Sequence, residues 1–123
     1  MSVIVRDNGF HAEDWTGDII DIAPDTKPEA LPANLGGDVL VRVAFPAFSD
    51  GRGFTLGRLL RAEGFTGRLR AAGHVIADQY TMARRSGFDE VEISDDLAAR
   101  QPEDQWRFRA DWRAYDYRSR LAG

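Results

Sequence analysis

A chain of 123 residues, 43% of them hydrophobic, has the size of one domain and can bury one modest core. It contains no cysteine, which excludes disulfides, thiolate catalysis, dithiol redox chemistry and cysteine-ligated iron–sulfur clusters. The net charge of −4 argues against general nucleic-acid binding. With no apolar run long enough to span a bilayer and no secretory signal at the start, a cytoplasmic protein without a membrane partner is expected.

Residues 2–6 (SVIVR) are β-branched and short, and Asp7-Asn8-Gly9 is a turn signal, so a hairpin or edge strand is expected at the N-terminus. Residues 17–23 (GDIIDIA) read as a further short strand. Pro24, Pro28 and Pro32 then argue against a helix, and residues 24–38 read as a surface connection pinned by Leu31 and Leu35. Residues 39–45 (VLVRVAF) are apolar except for Arg42, as expected of a central strand covered on both faces.

The stretch 45–93 repeats one short design. An arginine-rich helix over 55–63 is closed by Gly64-Phe65 and followed by a strand at 68–72; a second helix over 76–86 is closed by Gly87-Phe88 and followed by a strand at 90–93. Glycine supplies the left-handed conformation that ends a helix, and the following Phe can fold back on the last turn. Strand, helix, strand, helix, strand calls for parallel pairing with helical crossovers. The expected fold is thus a single α/β domain over 1–123, with a βαβαβ core at 39–93. Ser94 and Pro102 mark two helix starts near the end. The tail 106–117 fits either a helix face or strand alternation, and helix is preferred because it follows a helix-start signal.

In such a sheet the loops after each strand share one edge, where ligands usually bind. Those loops are residues 49–53, 73–74 and 94–96. The first is the most informative: Gly51 and Gly53 allow close backbone approach, a helix start offers free N–H groups, and Arg52 adds a charge beside Asp50. This combination suits a phosphate, sulfate or carboxylate. The competing account is an ordinary turn, with Asp50 capping the helix and Arg52 paired to a local acid. Asp78 and Gln79, in the first turn of the second helix, and Arg70, on the second strand, are placed near the same edge, with His74 as the other titratable candidate. A structural ion pair is the alternative reading for Asp78 and Arg70. Gly51-x-Gly53 lacks the third glycine of a dinucleotide fingerprint, since position 56 is Leu56. No metal-ligand spacing is present, and no cofactor is identified.

Three blocks, FPAFSDGRGFTLGRLLR (45–61), GRLRAAGHVIADQ (67–79) and RRSGFDEVEI (84–93), resemble a bacterial family of proteins of unknown function, often labelled oxidoreductases. Their genes commonly sit beside those for sulfite reductase and sulfate assimilation. The chain departs from the family at Ser86, where relatives often carry Cys, and at His74, where Asp or Asn is expected. The resemblance implies a role in sulfite reduction. Multi-electron sulfite reduction needs metal or flavin centres, so an accessory protein is expected, binding an anionic small molecule or a sulfite reductase component at the strand edge. The alternative is a small enzyme acting on an anionic sulfur or nucleotide metabolite, with Arg52 and Arg70 binding and Asp78 as polar partner. Homo-oligomerisation is compatible with either.

Overall fold

The computed structural model describes residues 2–111. The strands are β1 (Ser2–Arg6), β2 (Gly9–His11), β3 (Ile19–Ile22), β4 (Leu40–Phe45), β5 (Arg68–Gly73) and β6 (Glu90–Ser94). The helices are α1 (Arg52–Ala62), α2 (Tyr80–Arg85), α3 (Asp95–Arg100) and α4 (Glu103–Phe108), with 3-10 turns at Pro28–Ala30 and Ala77–Gln79. The six strands form one mixed, mostly parallel sheet in the order β2-β1-β6-β5-β4-β3. The strands joined by crossovers, β4, β5 and β6, are adjacent and parallel, and β3 joins them in parallel on β4. Asp7-Asn8-Gly9 makes the expected hairpin, and its first strand also pairs antiparallel with β6.

Both Gly-Phe signals end their helices as the residue types require. Gly64 and Gly87 have φ of +98° and +105°. The N–H of Phe65 reaches back to the Leu60 carbonyl at 3.1 Å, and that of Phe88 to Ala83 at 3.0 Å, the long-range bonds of a Schellman ending. Arg61 links the two endings. Its guanidinium donates to the carbonyls of Gly87 (2.9 Å), Phe65 (3.0 Å) and Gly67 (2.8 Å), and to Asp89 (2.9 Å).

Helix α1 starts at Arg52, earlier than residue 55, because Gly53 belongs to packing rather than to an open loop. A Cβ on Gly53 would lie 2.4 Å from the Phe45 ring, so the missing side chain lets α1 settle onto β4. Phe54 then packs against Phe45 with the rings tilted by 59° and centroids 4.9 Å apart, and Phe88 meets the same ring edge-on at 5.8 Å. Right-handed crossovers that step the same way across the sheet place α1 and α2 on one face. Val41, Val43, Leu69, Ala71, Val91 and Ile93 are buried beneath them. Trp106 of α4 completes this layer edge-on to Tyr80, with its indole N–H on the Gln101 carbonyl at 2.9 Å. Helix α4 ends at Phe108, and residues 112–117 of the expected helical tail lie outside the described residues.

On the other face β4 is covered only in part, which corrects the expectation that it is enclosed on both sides. Ala44 is exposed there, whereas Leu40 is buried. A charged row crosses this face. Asp21, Arg42, Arg70 and Glu90 are successive register partners on β3, β4, β5 and β6, and Arg6 of β1 donates to Glu90 at 3.1 Å. Residues 12–18 lie over the row. They must join β2 to β3 at opposite edges of the sheet. At the usual strand spacing that distance is about 24 Å. The Cα steps from His11 to Ile19 can reach at most about 26 to 29 Å, so this strap has little slack.

Candidate functional site

The carboxyl ends of β4, β5 and β6 open onto a cleft of about 480 Å³ lined by Phe48, Gly73, His74, Ile76, Ser94, Leu97, Arg100 and Gln101. Its walls come from the chain beyond each of the three strands, but beyond β4 the wall is Phe48, and none of residues 49–53 lines the cleft. Gly73, with φ of +118°, turns the chain out of β5 so that the His74 N–H returns to the Phe45 carbonyl at 2.8 Å. The Gln79 side chain braces the next turn: its oxygen accepts from the Ile76 N–H at 3.0 Å while its amide donates to the Phe48 carbonyl at 2.6 Å. Ser94 caps α3 through the Leu97 N–H at 3.1 Å. The Gln101 oxygen accepts from the Ala77 N–H at 2.7 Å, tying the end of α3 to the 3-10 turn and closing one flank.

Two groups in this cleft can meet an anion. The imidazole of His74 and the guanidinium of Arg100 are exposed, and neither makes a side-chain hydrogen bond or ion pair among the described residues. Phe48, Ile76 and Leu97 give the cleft apolar surface. Arg100 was missed by sequence reading; its signal is its place in the last turn of the helix that leaves the third strand edge.

The other anticipated residues are distributed differently. Arg52 turns back on Asp50, donating from Nη2 at 2.7 Å and from Nε at 3.0 Å, and its backbone N–H adds a bond at 3.1 Å. The Arg52 hydrogen bonds hold the Asp50 carboxyl below its ordinary range. Arg52 borders a separate hollow with Lys27, Thr55 and Leu59 rather than the cleft. Gly51 is open to solvent, and Gly53 is filled by the Phe45 contact.

Arg70 does not reach the carboxyl edge. Its side chain is fully buried under the strap, donating to Glu90 at 2.6 Å, to Glu92 at 2.9 Å and to both oxygens of Glu13. Burial works against the charged guanidinium, but Glu13 and Glu90 more than offset it and the pKa is raised. The reciprocal effect is clear at Glu13, which the Arg70 hydrogen bond holds at about 2. Asp78 pairs with Arg109 after α4, at 2.9 Å, so it joins neither Arg70 nor the cleft. His74 lies in the cleft, and Gln79 supports it. Among the described residues no group of three or more His, Cys, Asp or Glu side chains is placed to hold a metal ion. No described helix is long and apolar enough to cross a membrane.

Residues 19–119 match a family described as a bacterial protein of unknown function. The chain belongs to this family, DUF934. The DUF934 match begins at β3 and therefore includes every residue of the cleft, while the hairpin and the strap that carries Glu13 precede it. No curated protein and no solved structure matches the chain.

Proposed function

We propose that this protein is an accessory component of assimilatory sulfite reduction that binds an anionic ligand or a reductase component at the carboxyl edge of its sheet. The observation that carries the binding reading is the cleft in which Arg100 and His74, beside apolar walls, have no side-chain partner among the described residues. Carboxyl edges of parallel strands are where open α/β sheets usually take ligands. A guanidinium without a carboxylate partner can meet an oxyanion with two parallel hydrogen bonds. The sulfite setting rests on the resemblance of the blocks at 45–61, 67–79 and 84–93 to proteins encoded beside sulfite reductase. Without cysteine to ligate a cluster, the chain suits a supporting role in a multi-electron reduction better than the reduction itself.

Calorimetric titration of sulfate, phosphate and sulfite tests the anion arm. Arg100→Ala should weaken binding by about 1.5 to 3 kcal/mol, the range for hydrogen bonds to charged groups. Arg52→Ala should leave it within experimental error, because Asp50 already occupies that guanidinium. Retention of sulfite reductase subunits on immobilised protein tests the partner arm. Absence of both submillimolar anion binding and subunit retention would remove this reading. The presence of His74 in the same cleft as Arg100 favours one alternative, a small enzyme acting on an anionic sulfur or nucleotide metabolite. Turnover by the isolated protein, lost in His74→Ala with binding retained, would select it.

A further inference from the structure

The walls of the cleft ask for more than an inorganic anion. Sulfate or phosphate would meet Arg100 and His74 and leave Phe48, Ile76 and Leu97 against water. Phe48 is 61% exposed, yet its backbone is tied down on both sides, by the Gln79 amide on its own carbonyl at 2.6 Å and by the Asp50 N–H on the Ala47 carbonyl at 2.9 Å. A fixed backbone under an uncovered aromatic ring at a cleft rim makes a stacking platform for a planar group. The remaining polar groups are donors. The Ser94 hydroxyl accepts from Leu97 and keeps its own hydrogen, and the Gln101 amide nitrogen is not used in the bond that its oxygen makes. The volume of about 480 Å³ falls in the usual range of small-molecule sites.

Resting on the anion reading above, we infer that the ligand is a nucleoside monophosphate, its base against Phe48 and its phosphate on Arg100 and His74. This ligand unites the three features that the cleft offers: a planar face, hydroxyl and ring acceptors, and a terminal oxyanion suited to a guanidinium.

Titration of AMP, adenosine, ribose 5-phosphate and sulfate into wild type, Phe48→Ala and Arg100→Ala separates the parts. Both substitutions are at exposed positions, and equal thermal midpoints would establish that the variants remain folded. Wild type should bind AMP at least tenfold more tightly than ribose 5-phosphate or sulfate. Phe48→Ala should abolish that preference while leaving ribose 5-phosphate unchanged, and Arg100→Ala should reduce AMP to the affinity of adenosine. If sulfate or ribose 5-phosphate binds as well as AMP and depends on Arg100, the anion reading stands and the nucleotide one is overturned. AMP binding that is indifferent to both substitutions places the nucleotide elsewhere and also overturns it. If none of the four binds, both readings fail together.

Discussion

Arg52, Arg70 and Arg100 carry the same guanidinium and have three different fates, set by which carboxylates reach them. Asp50 is two residues from Arg52 and takes it locally. Arg70 is taken by Glu13, Glu90 and Glu92, at sequence separations of 57, 20 and 22. Removing Arg70 would leave Glu90, only 1% exposed, without its closest cation. Breaking a buried pair from one side costs about 3 to 5 kcal/mol, so urea denaturation of Arg70→Ala should show a loss of that order. A change below about 1 kcal/mol would mean that the network is relaxed by water or by Arg6. Glu13 supplies a pH-dependent part. Its carboxyl is held at about 2 against an ordinary 4.5, so the ionised form is favoured by the folded state. The resulting stability is fully present above pH 4.5 and is lost as the pH falls toward 2. Wild type should therefore exceed Glu13→Gln in thermal midpoint at pH 6, and the gap should close between those two values. A gap that is constant with pH would place the effect in packing of the strap.

At the scale of elements, the two Gly-Phe endings are alike in backbone and unlike in surroundings. Around Gly64 an added Cβ would meet nothing within 4 Å, whereas at Gly87 it would lie 2.6 Å from Arg61 Cγ. Substitution at Gly64 therefore reports the left-handed strain alone, roughly 1 to 2 kcal/mol. Gly87→Val adds displacement of the arginine that binds three carbonyls across the two repeats. Denaturant midpoints should fall in both variants and fall further in Gly87→Val. Equal losses would show that Arg61 shifts without losing its bonds. Arg61 thus joins two elements whose chain positions differ by a whole repeat, so α1, α2 and the strands between them are expected to unfold as one unit.

Across the whole molecule, the centre of the sheet is decided by the antiparallel addition of β1 to β6. That pairing moves β6 from an edge to the interior and puts β2 and β3 at the two edges. Local opening is cheapest where backbone bonds have a neighbour on one side only, so hydrogen exchange should separate the strands. Amides of β4, β5 and β6 should be protected to the limit of global unfolding, while those of β3 and of residues 24–38 exchange through smaller openings. Protection of β3 equal to that of β5 would imply an edge covered in solution, as in a second copy paired on it.

Much of this architecture was determined by the sequence alone because its signals act over a few residues. Gly64-Phe65 and Gly87-Phe88 stop their helices, Ser94 starts α3, Asp7-Asn8-Gly9 turns the hairpin, and short crossovers make the strands parallel. Each follows from backbone sterics or a hydrogen bond within one turn. The functional roles of single residues were decided only by tertiary structure. Gly53 has the residue type of a phosphate loop but serves the Phe45 ring, and the start of the second helix, read as continuous from 76, is a 3-10 turn braced by Gln79 and Gln101. Arg70 lies on a strand that points toward the ligand edge, yet a strap entering from a distant part of the chain buries it. Arg100 becomes available because no carboxylate among the described residues is brought to it. A guanidinium's partner is chosen by distance in space, and strand order, which local residue chemistry does not encode, sets that distance.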